Sequence, residues 1–332
     1  MQQQILRTGA ALIVTFGLAS AAFAQEVKWD MPNEYAENSL AGFADKDFIR
    51  LVAEKTDGSI QIEPFFGGSL GYKSSDHFNA VQDGAVPLAH TFGGALSGID
   101  PVFQTNTLPF LVSNPDEMLI LINTIRPYVN EVFQNAGQRL LFVQPMTPVG
   151  IWSKRPVLTI DDLRELKIRT YDVNGTVALK AAGSNPVQLS WGDVIPALST
   201  NLIDSVLTSD EGGISASFWD YTSYFNRLNF TAGLDVVHIN EEAFEALTSE
   251  QQEAVLAAAA EAENMAWGRV KVRVAENTAK MVTNNVTVVE NISPELIALL
   301  RASGKEATDN WLEAMAGKGE KIIGEYMARI AK

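Results

Sequence analysis

From Val27 onward, apolar and polar positions switch between two periods. Val27 to Met31 is a short strand candidate. Leu40 to Thr56 sets Phe43, Phe48, Leu51 and Val52 at helical spacing and stops at Asp57-Gly58, a turn signal. Ile60 to Phe66 alternates as a second strand before Gly67-Gly68, and Ser75 to Asp83 predicts a helix ended by Gly84. Strand and helix keep alternating through Leu140 to Val143 and Leu163 to Arg169. Such alternation predicts an α/β protein with a mainly parallel sheet.

One segment stands apart. Leu247-Thr248-Ser249-Glu250-Gln251-Gln252 reads as a helix start, with Thr248 as N-cap and Gln251 three residues on. From there to about Val282 the chain is dominated by Ala, Glu, Lys and Arg. Roughly 33 residues at 1.5 Å each predict a rod of about 50 Å over 249–282, long enough to run behind two domains. Two helices joined at an unmarked kink are the alternative. A shorter helix from about Asp309 to Ala331 closes the chain. At 332 residues, two domains are expected.

The first residues follow another logic. Arg7 precedes an apolar run from Ala10 to Ala22, and Ala22-Phe23-Ala24 then stands before Gln25-Glu26. A cation, a short apolar stretch and a small-x-small site predict a secretory signal peptide over 1–24, cleaved near Ala24. The run is short for a membrane span, so a soluble protein exported to the periplasm is expected, not a membrane-inserted one. The chain has no cysteine, which excludes disulfides, thiolate nucleophiles and zinc-thiolate sites. Its net charge of −15 argues against nucleic acid and anionic membranes as partners. An anionic ligand stays open, because a buried site answers to its local cations.

Candidates for chemistry are few. Of the three histidines, His77, His90 and His238, none has a second at metal-ligand spacing. No G-x-S-x-G, Walker or dinucleotide fingerprint is present. Gly67-Gly68-Ser69-Leu70-Gly71 lacks the lysine of a phosphate loop and reads as a turn. His90, in an apolar run, reads as a hydrogen-bonded core histidine before a catalytic one. Asp161-Asp162 and Asp210-Glu211, beside Thr159 and Ser209, read first as helix-start residues. No constellation converges for acid–base work, so neither an enzyme nor a cofactor or metal is expected.

The informative stretch is Trp152-Ser153-Lys154-Arg155-Pro156-Val157-Leu158-Thr159-Ile160-Asp161-Asp162-Leu163-Arg164-Glu165-Leu166-Lys167-Ile168-Arg169. It resembles the "kP…DL-x-x-LKIR" segment of the TRAP transporter solute-binding proteins, the DctP-like extracytoplasmic receptors. Glu54-Lys55-Thr56-Asp57-Gly58 with Gly68-Ser69-Leu70-Gly71, Val81-Gln82-Asp83-Gly84, Leu108-Pro109-Phe110-Leu111 and Ala197 to Asp204 resemble further family stretches. They stand in the family's order and cover nearly the whole chain after the signal.

The resemblance implies two α/β lobes, a periplasmic binding protein fold with a cleft between them and a long helix spanning both. Residues 25–147, with about 235–265, would form one lobe; residues 148–234, with about 283–332, the other. It also implies that Arg169 grips a ligand carboxylate with two parallel hydrogen bonds, the match a planar guanidinium offers. Without the resemblance, Arg169 is an arginine ending a short apolar strand. Where sialic-acid and dicarboxylate members carry further polar groups, this chain has Val149, Phe92, Pro32, Tyr72 and Thr208, while an aromatic is kept as Trp191. His90, Trp152, Asp172 and Ser209 complete the expected site. One cation among aromatic walls suits a monocarboxylate with an apolar body, an aromatic or branched 2-oxo or 2-hydroxy acid, since a second carboxylate would go unpaired. The alternative for these aromatics is lobe core. The partner implied is a TRAP membrane permease. A receptor subunit presenting a carboxylate to a membrane sensor, or a dicarboxylate-binding member, is the alternative.

Overall fold

A computed structural model describes residues 26–112 and 114–331. The expected signal segment lies outside the described residues. The chain begins with β1 (Val27–Pro32), α1 (Leu40–Lys55), β2 (Ile60–Phe65), α2 (Ser74–Gln82) and β3 (Leu88–Phe92). After two 3-10 turns come α3 (Pro115–Asn135) and the long strand β4 (Gln138–Ser153). Then follow α4 (Ile160–Arg164), β5 (Ile168–Thr170), α5 (Val173–Ala181), β6 (Val187–Gln188), α6 (Val194–Ser199), β7 (Ser205–Ser209) and α7 (Asp210–Ser215). The last part holds β8 (Tyr224–Asn226), β9 (Ala232–Asn240), α8 (Glu241–Glu245), α9 (Ser249–Thr283), β10 (Thr287–Val289), α10 (Pro294–Ala314) and α11 (Lys318–Ile330).

Local chemistry sets many of these ends. Thr248 and Gln251 form the expected capping box on α9, and Thr159 with Asp162 forms another on α4. Ser209 caps α7 by accepting from Gly212 N, so Asp210 and Glu211 do lie in a first helical turn. The helix α9 is one unbroken element of 35 residues, about 52 Å long, and it runs through Gly268 without a kink. The expected closing helix over 309–331 is instead the end of α10 and all of α11. Ala316 and Gly317, both with positive φ, break the helix between them.

Two lobes are visible in the packing. In the first, Phe48, Ile60 and Phe142 pack with Val255 and Ala262 of α9, while Phe103, Phe133 and Trp267 form a second cluster. In the second lobe, Ile151, Ile168 and Leu207 pack against Leu296 and Leu300 of α10, and Trp152, Phe218 and Phe225 pack with Met281 of α9. Thus α9 places side chains in both lobes, and α10 does the same, since its Trp311 joins the first-lobe core. Ile322 and Tyr326 of α11 join it there, so the chain's end lies on the first lobe rather than on the second, where the sequence placed it.

The sheets are mixed rather than mainly parallel. β1 pairs with β2, β5 with β6 and β7, and β10 with β8, all in parallel, but β4 runs antiparallel to β7, β8 and β9, and β3 to β9. The cause is β4, which passes directly from one lobe to the other. Its first part pairs with β9 and its last five residues with β7. Register shifts fall between Leu140 and Phe142 and between Pro145 and Pro148, where proline cannot donate to the ladder. The cleft opens beside that second irregularity.

Candidate functional site

Between the lobes lies a cavity of about 280 Å³. That is near the small end of ligand pockets, which run from about 300 to 1,000 Å³. Arg169 reaches it from β5, held between β6 and β7. The side chain is 3% exposed, and its Nε donates to Leu189 O at 3.0 Å. Among the described residues no other hydrogen bond or ion pair holds its guanidinium, so both terminal nitrogens are free of protein partners. Its Cζ lies 5.8 Å from the Trp191 ring centre. Burial lowers its pKa to about 10, against the pull of Tyr35 and Glu34, which leaves it charged at neutral pH.

The walls are aromatic. Trp191 stands 5.6 Å from Tyr35 and stacks on Phe218 behind it at 5.9 Å, while Phe92 meets Tyr171 edge-on at 5.6 Å. Gly212 leaves room for this arrangement: a Cβ there would stand 2.8 Å from Thr208 Oγ1 and 3.2 Å from the Trp191 ring. Among the described residues the charged ones lining the cavity are Arg169 and Glu34. Glu34 is 7% exposed, and each of its oxygens accepts a backbone N–H, from Ser74 at 3.0 Å and from Gly192 at 2.9 Å. Among the described residues no group of three or more His, Asp or Glu could hold a metal ion.

Arg169, Trp191, Phe92, Val149, Thr208 and Ser209 come together on this cavity. Tyr72, Trp152, His90 and Asp172 do not. Tyr72 lies instead against the small cluster of Ala80, Val81, Val86 and Ala89. Trp152 is fully buried, donates from Nε1 to Ser209 O at 3.1 Å and so braces the turn that carries Ser209. Asp172 caps α5 by accepting from Gly175 N, and burial pushes its carboxyl up to about 6. His90 sits between Asp45, 2.6 Å from Nδ1, and Asp235, 3.3 Å from Nε2. Burial lowers its pKa, but the two carboxylates outweigh burial and hold it at about 10. Asp45 also accepts from Asn33 Nδ2 at 2.6 Å, and Asn33 Oδ1 accepts from Tyr35 N at 2.8 Å. His90 is therefore a core residue that anchors, through two partners, the loop bearing Glu34 and Tyr35.

Glu34, Tyr35 and Tyr171 line the cavity and were missed by sequence reasoning. A signal for the first existed: the position where other members carry a polar group was placed near Pro32 and read as having lost it, two residues short of Glu34.

Residues 33–314 match the family model described as bacterial extracellular solute-binding protein, family 7. The chain is 29% identical over 268 residues to the ectoine/5-hydroxyectoine-binding periplasmic protein UehA of Ruegeria pomeroyi, across 78% of this chain and 77% of that one. Two solved structures of extracytoplasmic solute receptors from Bordetella pertussis, DctP7 and DctP6, both binding pyroglutamic acid, superpose with a TM-score of 0.87. They are 27% and 25% identical, over 91% of this chain in each case and 99% and 100% of theirs.

Proposed function

Because the chain belongs to family 7 of the bacterial extracellular solute-binding proteins, we propose that it captures a small monocarboxylate with a compact apolar or ring-shaped body and hands it, in the periplasm, to a TRAP-type permease. The observation that carries this is the charge inventory of the cavity among the described residues: one buried arginine whose two terminal nitrogens have no protein partner, and one glutamate. A single carboxylate would take both prongs of Arg169. A second would face Glu34, where like charges repel and burial goes unrewarded. Flat apolar surface would lie between Trp191 and Phe92.

The similar proteins favour the ring. Pyroglutamic acid is a lactam with one carboxylate, and ectoine is a cyclic amidine with one. Glu34 suits the N–H edge of such a ring, since a carboxylate oxygen accepts more than one hydrogen bond. Branched or aromatic 2-oxo and 2-hydroxy acids remain within the same class. Calorimetric titration with pyroglutamate, benzoate-like acids and 2-oxo acids, set against succinate, tests the proposal. One of the monocarboxylates should bind at least about a hundredfold tighter than succinate, roughly 2.7 kcal/mol; tighter succinate binding overturns it.

A further inference from the structure

Hydrogen bonds and an ion pair cross the cleft at one point of its rim, away from the segments that join the lobes. Lys73 Nζ lies 2.7 Å from Asp193 Oδ2. Beside this pair, Glu34 takes one amide from each lobe, Ser74 N at the start of α2 and Gly192 N in the 3-10 turn Trp191–Asp193. Neither pairing involves β4, α9 or α10, the elements that cross between lobes.

We propose that Glu34, Lys73 and Asp193 form a rim clasp that holds the lobes shut and positions the Trp191 wall. The residues are positioning groups, tied to each other across 120 residues of chain for Lys73–Asp193 and 158 for Glu34–Gly192. Parting the lobes breaks both contacts at once while leaving each lobe's core intact, so their free energy is conditional on closure. The two contributions differ in size. Lys73 and Asp193 are about half exposed, which makes their attraction small and screened by salt. Glu34 is buried and offers a charged acceptor to Gly192, a bond about twice as strong as a neutral one. The turn it holds carries Trp191, so the clasp and the aromatic wall form in the same motion.

Two other sets of hydrogen bonds between the lobes lack this character. Asn174 Nδ2 donates to Gln104 O and Thr107 Oγ1, but these segments flank α10, whose Gly304 lies against Pro109. Glu211 accepts from Leu40 N, but it is also bound by Arg273 and Asn277 of α9. Each sits against a crossing helix and serves as pivot rather than rim.

The absence of cysteine makes the test direct. Ala85→Cys and Ala181→Cys put one spin label on an exposed site of each lobe. Pulsed dipolar spectroscopy then reads the lobe separation without any ligand, so the outcome is independent of the ligand class proposed above. Lys73→Gln and Asp193→Asn are each expected to shift the open-to-closed ratio toward open by about two- to fivefold, and the double variant by no more than either alone. The swap Lys73→Asp with Asp193→Lys should restore closure, and high salt should mimic the single variants. Glu34→Gln, which sets an amide donor against a backbone donor, should shift the ratio by about tenfold or more. Urea midpoints should stay unchanged in the Lys73 and Asp193 variants. Unchanged distances in all variants, additive single effects, or a wild-type protein that never shows the short separation would each overturn the clasp.

Discussion

Two buried cations lie in different lobes, and their surroundings differ in kind. His90 is fully buried and stands between two carboxylates, with Asn33 bonded to one of them. Arg169 is 3% exposed and faces the cavity, and one backbone carbonyl is its whole hydrogen-bonded protein company among the described residues. Burying an ion without a partner costs several kcal/mol, so the His90 region is arranged for its own stability and the Arg169 region is not. In the first, protein carboxylates face both ring nitrogens; in the second, the terminal nitrogens of Arg169 are left for the carboxylate of the proposed function. The sensitivity of each region to mutation should follow from that difference.

The largest effect is expected at Arg169. Arg169→Met should weaken carboxylate binding by about a thousandfold, close to 4 kcal/mol, while the unfolding midpoint stays level or rises because an uncompensated buried charge is gone. A loss under about tenfold in calorimetry would mean Arg169 is no anchor. His90→Gln should do the reverse to stability, removing about 3 kcal/mol in urea unfolding, since Asp45 and Asp235 lose the charge between them. Next comes pH. The folded pKa of His90 is raised from 6.5 to about 10, so its contribution is complete below about pH 6.5 and fades as pH climbs toward 10. Wild-type stability should decline over that interval, and His90→Gln should flatten the decline; a parallel curve would contradict the assignment. Smaller still, Trp191→Ala should weaken binding by about tenfold, whereas Tyr72→Ala, off the cavity wall, should stay within about twofold of wild type.

Comparing what could be read before and after folding separates local from non-local information. The span of α9 was legible because its capping box and composition are written in adjacent residues. Arg169 was legible because a continuous motif ends on it. The mixed sheet was not, because the direction of β4 is decided by a partner, β9, some ninety residues later. Tyr72 and Glu34 show the same limit at the scale of a loop. A placement two residues short put the family's polar position at Pro32 instead of Glu34, so that group was read as lost, and the turn before α2 sent Tyr72 against Ala80 and Val81 instead of into the cleft. His90 was readable as a core histidine from its apolar run, but not its two carboxylate partners, which come from α1 and β9.

In the proposed function, Arg169 recognises the charge of one carboxylate. This is tested most directly by comparing an acid with its own carboxamide, for example pyroglutamate against pyroglutamide, in calorimetry with wild type and Arg169→Met. Wild type should prefer the acid by at least about a hundredfold, and the variant should bind the two within about tenfold of each other. A variant that still prefers the acid a hundredfold would place the anchor elsewhere and contradict the account.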